Sequence, residues 1–173
     1  MAKISSRKAD NYLAQLEKLE QNTDDICKQA VYQGTKVVAD AIMQSIKEMP
    51  VQAPPPKQKY YYLSEQSADA GELIRGISEE QKKGLEDGFG ITGMRHEDGS
   101  WNAKIGFDGY NGVKTKKYPK GQPNALIARS VESGSSVREK TPFIAPAVRA
   151  SRKNAEKTME ITISQKIEAI IKK

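Results

Sequence analysis

The sequence holds one cysteine, one histidine and one tryptophan among 173 residues. With Cys27 alone, no intrachain disulfide forms and a cysteine-based metal site is not expected; a reducing compartment fits. His96, between Glu97 and Asp98, has no second imidazole or thiolate to close a metal site around it. A Ser-His-Asp or Cys-His arrangement would rest on that one residue, so no catalytic group, metal or cofactor is expected. No apolar run approaches a membrane span, and the first residues, MAKISSRKAD, lack the apolar stretch of a signal peptide. A soluble protein made in the cytosol, with no membrane partner, is the expectation. Hydrophobic residues make up 37% and mean hydropathy is −0.68, little for a self-contained core of this size. Burial completed against other subunits is therefore expected. The balance of 28 basic to 22 acidic residues, net +6, permits a nucleic-acid or acidic-surface partner without requiring one.

What is present is helical periodicity. Tyr12, Leu13, Leu16 and Leu19 fall at helical spacing. Asn22-Thr23-Asp24-Asp25 reads as a fresh N-cap with an acidic first turn. From there Ile26, Ala30, Val37, Val38, Ala41, Ile42, Ser45, Ile46 and Met49 trace one face to Pro50. The two stretches are read as two helices rather than one bent helix. Gly34 lies inside the second stripe at a cost of about 1 kcal/mol relative to alanine, which points to a close crossing by another element.

Residues 50–67 read as a proline-rich loop in which Pro54-Pro55-Pro56 is extended and Tyr60-Tyr61-Tyr62 read as a strand edge or a loop covering the core, with a binding platform the less favoured alternative. Gly71 to Gly76 reads as one or two helical turns. The middle of the chain is the β part. Ile77 to Lys82 alternates weakly; Phe89 and Ile91, then Trp101, Ala103, Ile105 and Phe107, alternate with polar residues. Asp98-Gly99 between the last two runs is a hairpin signal. An antiparallel meander covered on its apolar side by the long helices follows, within a single domain spanning 1–173. Residues 108–123 are a glycine-containing basic loop with Lys114, Lys116, Lys117 and Lys120.

The stretch from Ala125 to Ala150, ALIARSVESGSSVREKTPFIAPAVRA, is the most informative. Apolar residues from Ala125 to Val131 make a short helix, and Gly134 ends it in a left-handed conformation. Thr141 before Pro142 is a helix start signal. Pro146 would then fall at the fifth helical position and forfeit a hydrogen bond, and Ala145 before it is a natural break. The expectation is a fixed lead-in at Pro142–Ile144 and a regular helix from about Pro146. Phe143 and Ile144 sit at a corner where they pack inward or meet a partner. A final apolar stripe, Val148 to Ile171, carries Arg149, Arg152, Lys153 and Lys157 on its other face.

Three chemical signals are weaker. Gly88-Phe89-Gly90-Ile91-Thr92-Gly93 matches G-x-G-x-x-G, but the motif needs a strand before it and a helix after it, and this segment itself reads as strand. Glu79, Glu80, Glu86 and Asp87 read as a solvated face. Cys27 lies near a helix start beside two aspartates that oppose thiol activation, so it reads as a half-buried structural thiol.

The order of elements, with Gly71 and Leu73 in a short helix, then a small sheet, then Glu132-x-Gly134-Ser135 and Pro142-Phe143-x-x-Pro146-Ala147 leading into a terminal helix, resembles the tail-completion, or head–tail joining, proteins of long-tailed bacteriophages related to minor tail protein Z. The resemblance implies a non-enzymatic α+β virion subunit at the tail/neck junction, assembled in the host bacterial cytoplasm. It implies a homo-oligomeric ring, a hexamer by the family's pattern, joined to tail-tube and neck or head-completion proteins. Glu132, Gly134, Pro142, Phe143, Ile144 and Pro146 would form the interface. Independently of the resemblance, the basic residues Lys114, Lys116, Lys117, Lys120, Arg149, Arg152 and Lys153 are candidate contacts with DNA or an acidic surface. The alternative is a small basic nucleic-acid-binding protein using the last helix.

Overall fold

The first helix is longer than its sequence suggests. In the computed structural model, α1 runs unbroken over Ser6–Glu48. The polar cluster read as a new N-cap lies inside it, because Asn22 and Thr23 donate to the carbonyls of Lys18 and Leu19 one turn back, at 2.7 and 2.8 Å. Such back-bonding satisfies the side chains without breaking the ladder. The structure describes residues 6–51, 76–135 and 138–172. The triple proline, the triple tyrosine and the Gly71–Arg75 stretch lie outside the described residues.

Helix α2 spans Glu79–Gly88, where the sequence suggested weak β alternation. The overlooked signal is a capping box: Ser78 Oγ accepts from the Gln81 N–H and the Gln81 side chain accepts from the Ser78 N–H. Glu79, Glu80 and Asp87 are exposed on this helix. Strands β1 (Phe89–Ile91), β2 (Arg95–Glu97), β3 (Ser100–Asn102) and β4 (Ile105–Phe107) follow. Instead of one meander they form two antiparallel pairs, β1 with β4 and β2 with β3. Three residues, 92–94, lead out and two, 103–104, lead back, so the two registers differ by one. Asp98 and Gly99 both have positive φ, 52° and 73°, the two-residue turn that Asp-Gly favours. Helices α3 (Asn124–Ser133) and α4 (Ile144–Ile171) complete an α+β fold.

The described chain divides into two compact units. One comprises Met1–Val37, Gly93–Ala103 and Lys153–Lys173; the other comprises Val38–Thr92 and Lys104–Arg152. The second unit holds a closed core. Ile42, Ile46 and Met49 of α1 meet Leu85 of α2, Ile127 and Val131 of α3, Phe143 and Ala147, with Phe89, Ile105 and Phe107 of the β1–β4 ribbon against them. Lys82 of α2 donates to the carbonyls of Lys47 and Met49, at 2.6 and 2.9 Å, and so closes the C-terminal end of α1. Gly84 and Gly88 admit the backbone of the following segment: a Cβ at Gly88 would collide with the Asp108 carbonyl. Gly88 therefore ends a helix in close contact with a loop and precedes a strand, the reverse of the nucleotide-binding order.

In the first unit Ile26 and Ala30 of α1 and Ala155 of α4 are buried. Gly34 has the predicted role, since a Cβ there would stand 2.7 Å from Met159 Cγ of α4. Trp101 Nε1 donates to Asp24 Oδ1 at 2.7 Å, and His96 Nε2 stands 3.8 Å from the same oxygen.

Candidate functional site: the Glu132–Pro146 corner

The corner between α3 and α4 is built around one carboxylate. Glu132, one residue before the end of α3, accepts from the backbone N–H groups of Phe143 and Ile144 through Oε2, both at 2.8 Å, and of Ala145 through Oε1, at 3.0 Å. These are donors that a helix start leaves without intrahelical partners. Glu132 thus caps α4 from a different helix, and Thr141 does not; the Thr141 N–H goes instead to the Val131 carbonyl at 2.9 Å. Burial pushes the Glu132 carboxyl pKa up, but the bonds from Ile144, Ala145 and Phe143, with Lys140 nearby, outweigh it and hold the group below its ordinary value. A negative charge here also meets the positive end of the α4 dipole.

That clamp explains where α4 begins. The regular helix starts at Ile144, two residues before the predicted Pro146. Pro146 is the third helical residue, where an N–H would have no intrahelical acceptor, so its missing donor costs nothing. Ala145 is drawn into the helix by its bond to Glu132 despite the preference of a residue before proline for extended geometry. Of the two options open to Phe143, it packs inward: it is 5% exposed and its ring stands 6.1 Å from that of Phe107. Ile144 is half-buried against the same core. Pro142 and Pro146 are exposed. Of the six residues read as an interface, Glu132, Phe143 and Ile144 therefore make contacts within this chain.

Gly134 follows α3 with φ 76° and ψ 173°. Its φ is positive as expected, but the pair lies in the extended mirror region, essentially reserved for glycine, rather than the left-handed helical one. Below it, Arg138 is 6% exposed. Its guanidinium donates to the Gly76 carbonyl and, at 3.1 Å, to Gln81 Oε1, while Gln81 Nε2 donates to Gln122 Oε1 at 2.8 Å. A buried arginine thus ties the loop after α3 to the start of α2. Nothing in the local sequence Val137-Arg138-Glu139 distinguishes this residue from a solvated one.

The cationic residues lie elsewhere on the surface. The 108–123 segment is an ordered reverse turn in which Asn111 bonds to Gln122 and Gln122 to Val113, with Thr115 and Tyr118 exchanging backbone bonds. Thr115 is buried, which turns Lys114, Lys116, Lys117 and Lys120 outward. Arg149, Arg152 and Lys153 are exposed on α4. Cys27 is exposed, a correction to the half-buried thiol; it lies one position off the buried Ile26–Ala30 stripe, in an open groove with Asp24, His96 and Trp101. Among the described residues no group of three or more His, Cys, Asp or Glu side chains stands together as a metal site, and no helix is long and apolar enough to cross a membrane.

No family model, curated protein or solved structure matches this chain.

Proposed function

We propose that this protein is a structural connector subunit, completing the tail of a long-tailed bacteriophage and joining it to the head–neck as part of a ring. The observation that carries the reading is apolar surface left open on the long helices. Tyr12, Leu13, Leu16 and Tyr32 of α1, and Val148, Ile161 and Ile171 of α4, are 40% or more exposed. In this reading those groups belong to faces that other chains cover. The residue pattern through Glu132, Gly134, Pro142, Phe143 and Pro146 adds the resemblance to tail-completion proteins. In this reading the corner holds α4 at a set angle to α3 and presents Pro142, Pro146 and the start of α4 to neighbours. Lys114, Lys116, Lys117 and Lys120 are the groups offered to DNA or to an acidic neighbour.

The test is tail-to-head joining in an assembly reaction depleted of this protein. Adding the wild-type chain restores joined particles if the reading is right, and leaves separate heads and tails if it is wrong. The exposed cations of α4 also favour a second reading, a nucleic-acid-binding protein. A salt titration of duplex DNA binding by the isolated chain separates the two, because a binder neutralising several phosphates loses affinity steeply with salt.

A further inference from the structure

Positive charge is concentrated in one segment. Between Gly109 and Val131 lie Lys114, Lys116, Lys117, Lys120 and Arg129 and none of the 22 acidic residues, so the rest of the chain is close to neutral. The four lysines stand on one ordered arm, residues 110–123. Its legs are joined where Tyr110 bridges Pro123, and where the Asn111 N–H donates to the Gln122 carbonyl and the Gln122 N–H to the Val113 carbonyl, both at 3.0 Å. Its tip is closed by Thr115 and Tyr118, which exchange backbone bonds at 3.0 and 3.1 Å; the Tyr118 N–H also reaches Thr115 Oγ1 at 3.0 Å. Because Thr115 is buried, Lys114, Lys116 and Lys120 are exposed around a fixed backbone, and Lys117 Nζ stands 5.6 Å from the centre of the Tyr118 ring. Among the described residues Lys114, Lys116 and Lys120 make no ion pair. The acids beside this arm are at its base. Asp108 Oδ1 accepts from the Gly109 N–H at 2.7 Å, and Glu80 Cβ of α2 lies 3.8 Å from where a Cβ on Gly112 would stand.

We infer that this arm holds the phosphate backbone of duplex DNA without reading its sequence. Three features choose that ligand. A protein–protein interface is built on buried apolar anchors and is depleted in lysine, whereas the stretch from Lys114 to Lys120 exposes its four lysines and no large apolar side chain. A single-strand site offers exposed aromatic rings for bases to stack on; here Tyr118 is half-buried with Lys117 over its ring, and the exposed Tyr110 stands alone at the base of the arm. Bidentate readout of base edges relies chiefly on Arg, Asn and Gln, and the stretch from Lys114 to Lys120 contains none of them. Lysines on an ordered turn are point charges set in place beforehand, which suits phosphates. The inference deepens the connector reading by choosing DNA over an acidic neighbour for these lysines, and it rests on that reading for how the chain meets a duplex.

The experiment titrates a short fluorescent duplex of mixed sequence with the purified full chain and follows anisotropy at several salt concentrations. Wild type is expected to bind, with log affinity falling against log salt at a slope of about 3.6, the value for four phosphates. Lys114→Gln with Lys116→Gln and Lys120→Gln removes three charges that pair with nothing in the fold, so thermal melting should stay at the wild-type value. The slope should drop to about 1 and low-salt affinity should fall more than about tenfold. Lys116→Gln alone should lower the slope by about 0.9. Arg149→Gln with Lys153→Gln, on α4, should leave affinity within about twofold. A wild type that binds no duplex overturns the inference, and so does a triple variant that binds like wild type. Loss of binding in the α4 pair moves the site to the last helix and overturns it equally. Binding to a polyglutamate peptide as tight as to the duplex, or tighter binding to single-stranded oligothymidine, overturns the choice of ligand. Tail-to-head joining reads the connector proposal separately. Joining restored by a wild type that binds no DNA sinks this inference alone; DNA binding through the arm without any joining sinks the connector and leaves the ligand of the arm standing.

Discussion

The two units treat the same kind of helix in opposite ways. In the unit of residues 38–92 and 104–152, the α1 stripe at Ile42, Ile46 and Met49 disappears under α2, α3 and the β1–β4 ribbon, with Ile46 and Val131 wholly enclosed. In the unit of residues 1–37, 93–103 and 153–173, the same helix ladder carries Tyr12, Leu13 and Leu16 in the open. Amphipathic periodicity is equally clear in both. What differs is the number of elements available: a helix pair with a short hairpin has one shared seam to bury, whereas four helices and a ribbon enclose a volume. An apolar stripe therefore names a face that seeks cover and leaves the source of that cover to the surroundings.

Mutation sharpens the contrast. The largest loss is expected for Phe143→Ala, which empties a site shared with Phe107 and costs about 3–5 kcal/mol in chemical denaturation of the isolated chain. Arg138→Ala comes next, at about 2–3 kcal/mol, because the Gly76 carbonyl and Gln81 Oε1 lose their donor in a buried setting. Gly134→Ala forces a side chain into a glycine-only conformation, with Lys140 Cβ 3.2 Å from the new methyl, and should cost about 1–3 kcal/mol. If these three variants unfold no more easily than wild type, the closed unit is not the source of stability.

Glu132→Gln should cost about 1 kcal/mol at neutral pH, the usual worth of a charged cap. Its pH dependence is specific. The folded pKa of Glu132 is lowered, so the unfolded chain takes up the proton first on acidification. The stabilisation is complete above the ordinary glutamate value, near ~4.3, and is lost as pH falls through the lowered folded value. Denaturation midpoints of wild type and Glu132→Gln should therefore converge as pH drops from 6 to 3; a constant gap would separate the cap from the carboxylate's charge. The smallest effect belongs to the open unit: Leu16→Ala should change monomer stability by no more than about 0.5 kcal/mol, in keeping with its exposure.

Much of the fold was legible because it is local. The stripes of α1, α3 and α4, the Asp98-Gly99 turn, the glycine stop at Gly134 and the close crossing at Gly34 each follow from neighbours along the chain. The misreadings share one cause. Asn22 and Thr23 looked like a cap and bonded backwards instead; Ser78 and Gln81 made a capping box inside a stretch that looked like strand. Thr141 gave way to Glu132 as the cap of α4, through contacts eleven to thirteen residues apart. The candidate corner was located in sequence, but its interior was not. Glu132 and Phe143 read equally well as outward-facing groups, and Arg138 gave no signal at all.

From the sequence alone came the helical faces, the turns and the sign of each charged stretch, since periodicity, glycine geometry and composition act over a few residues. Tertiary structure alone decided which carboxylate closes α4, that Arg138 is buried, and which part of α1 is covered. Those outcomes depend on what a distant segment brings within hydrogen-bonding or van der Waals reach, and separation along the chain does not encode that distance.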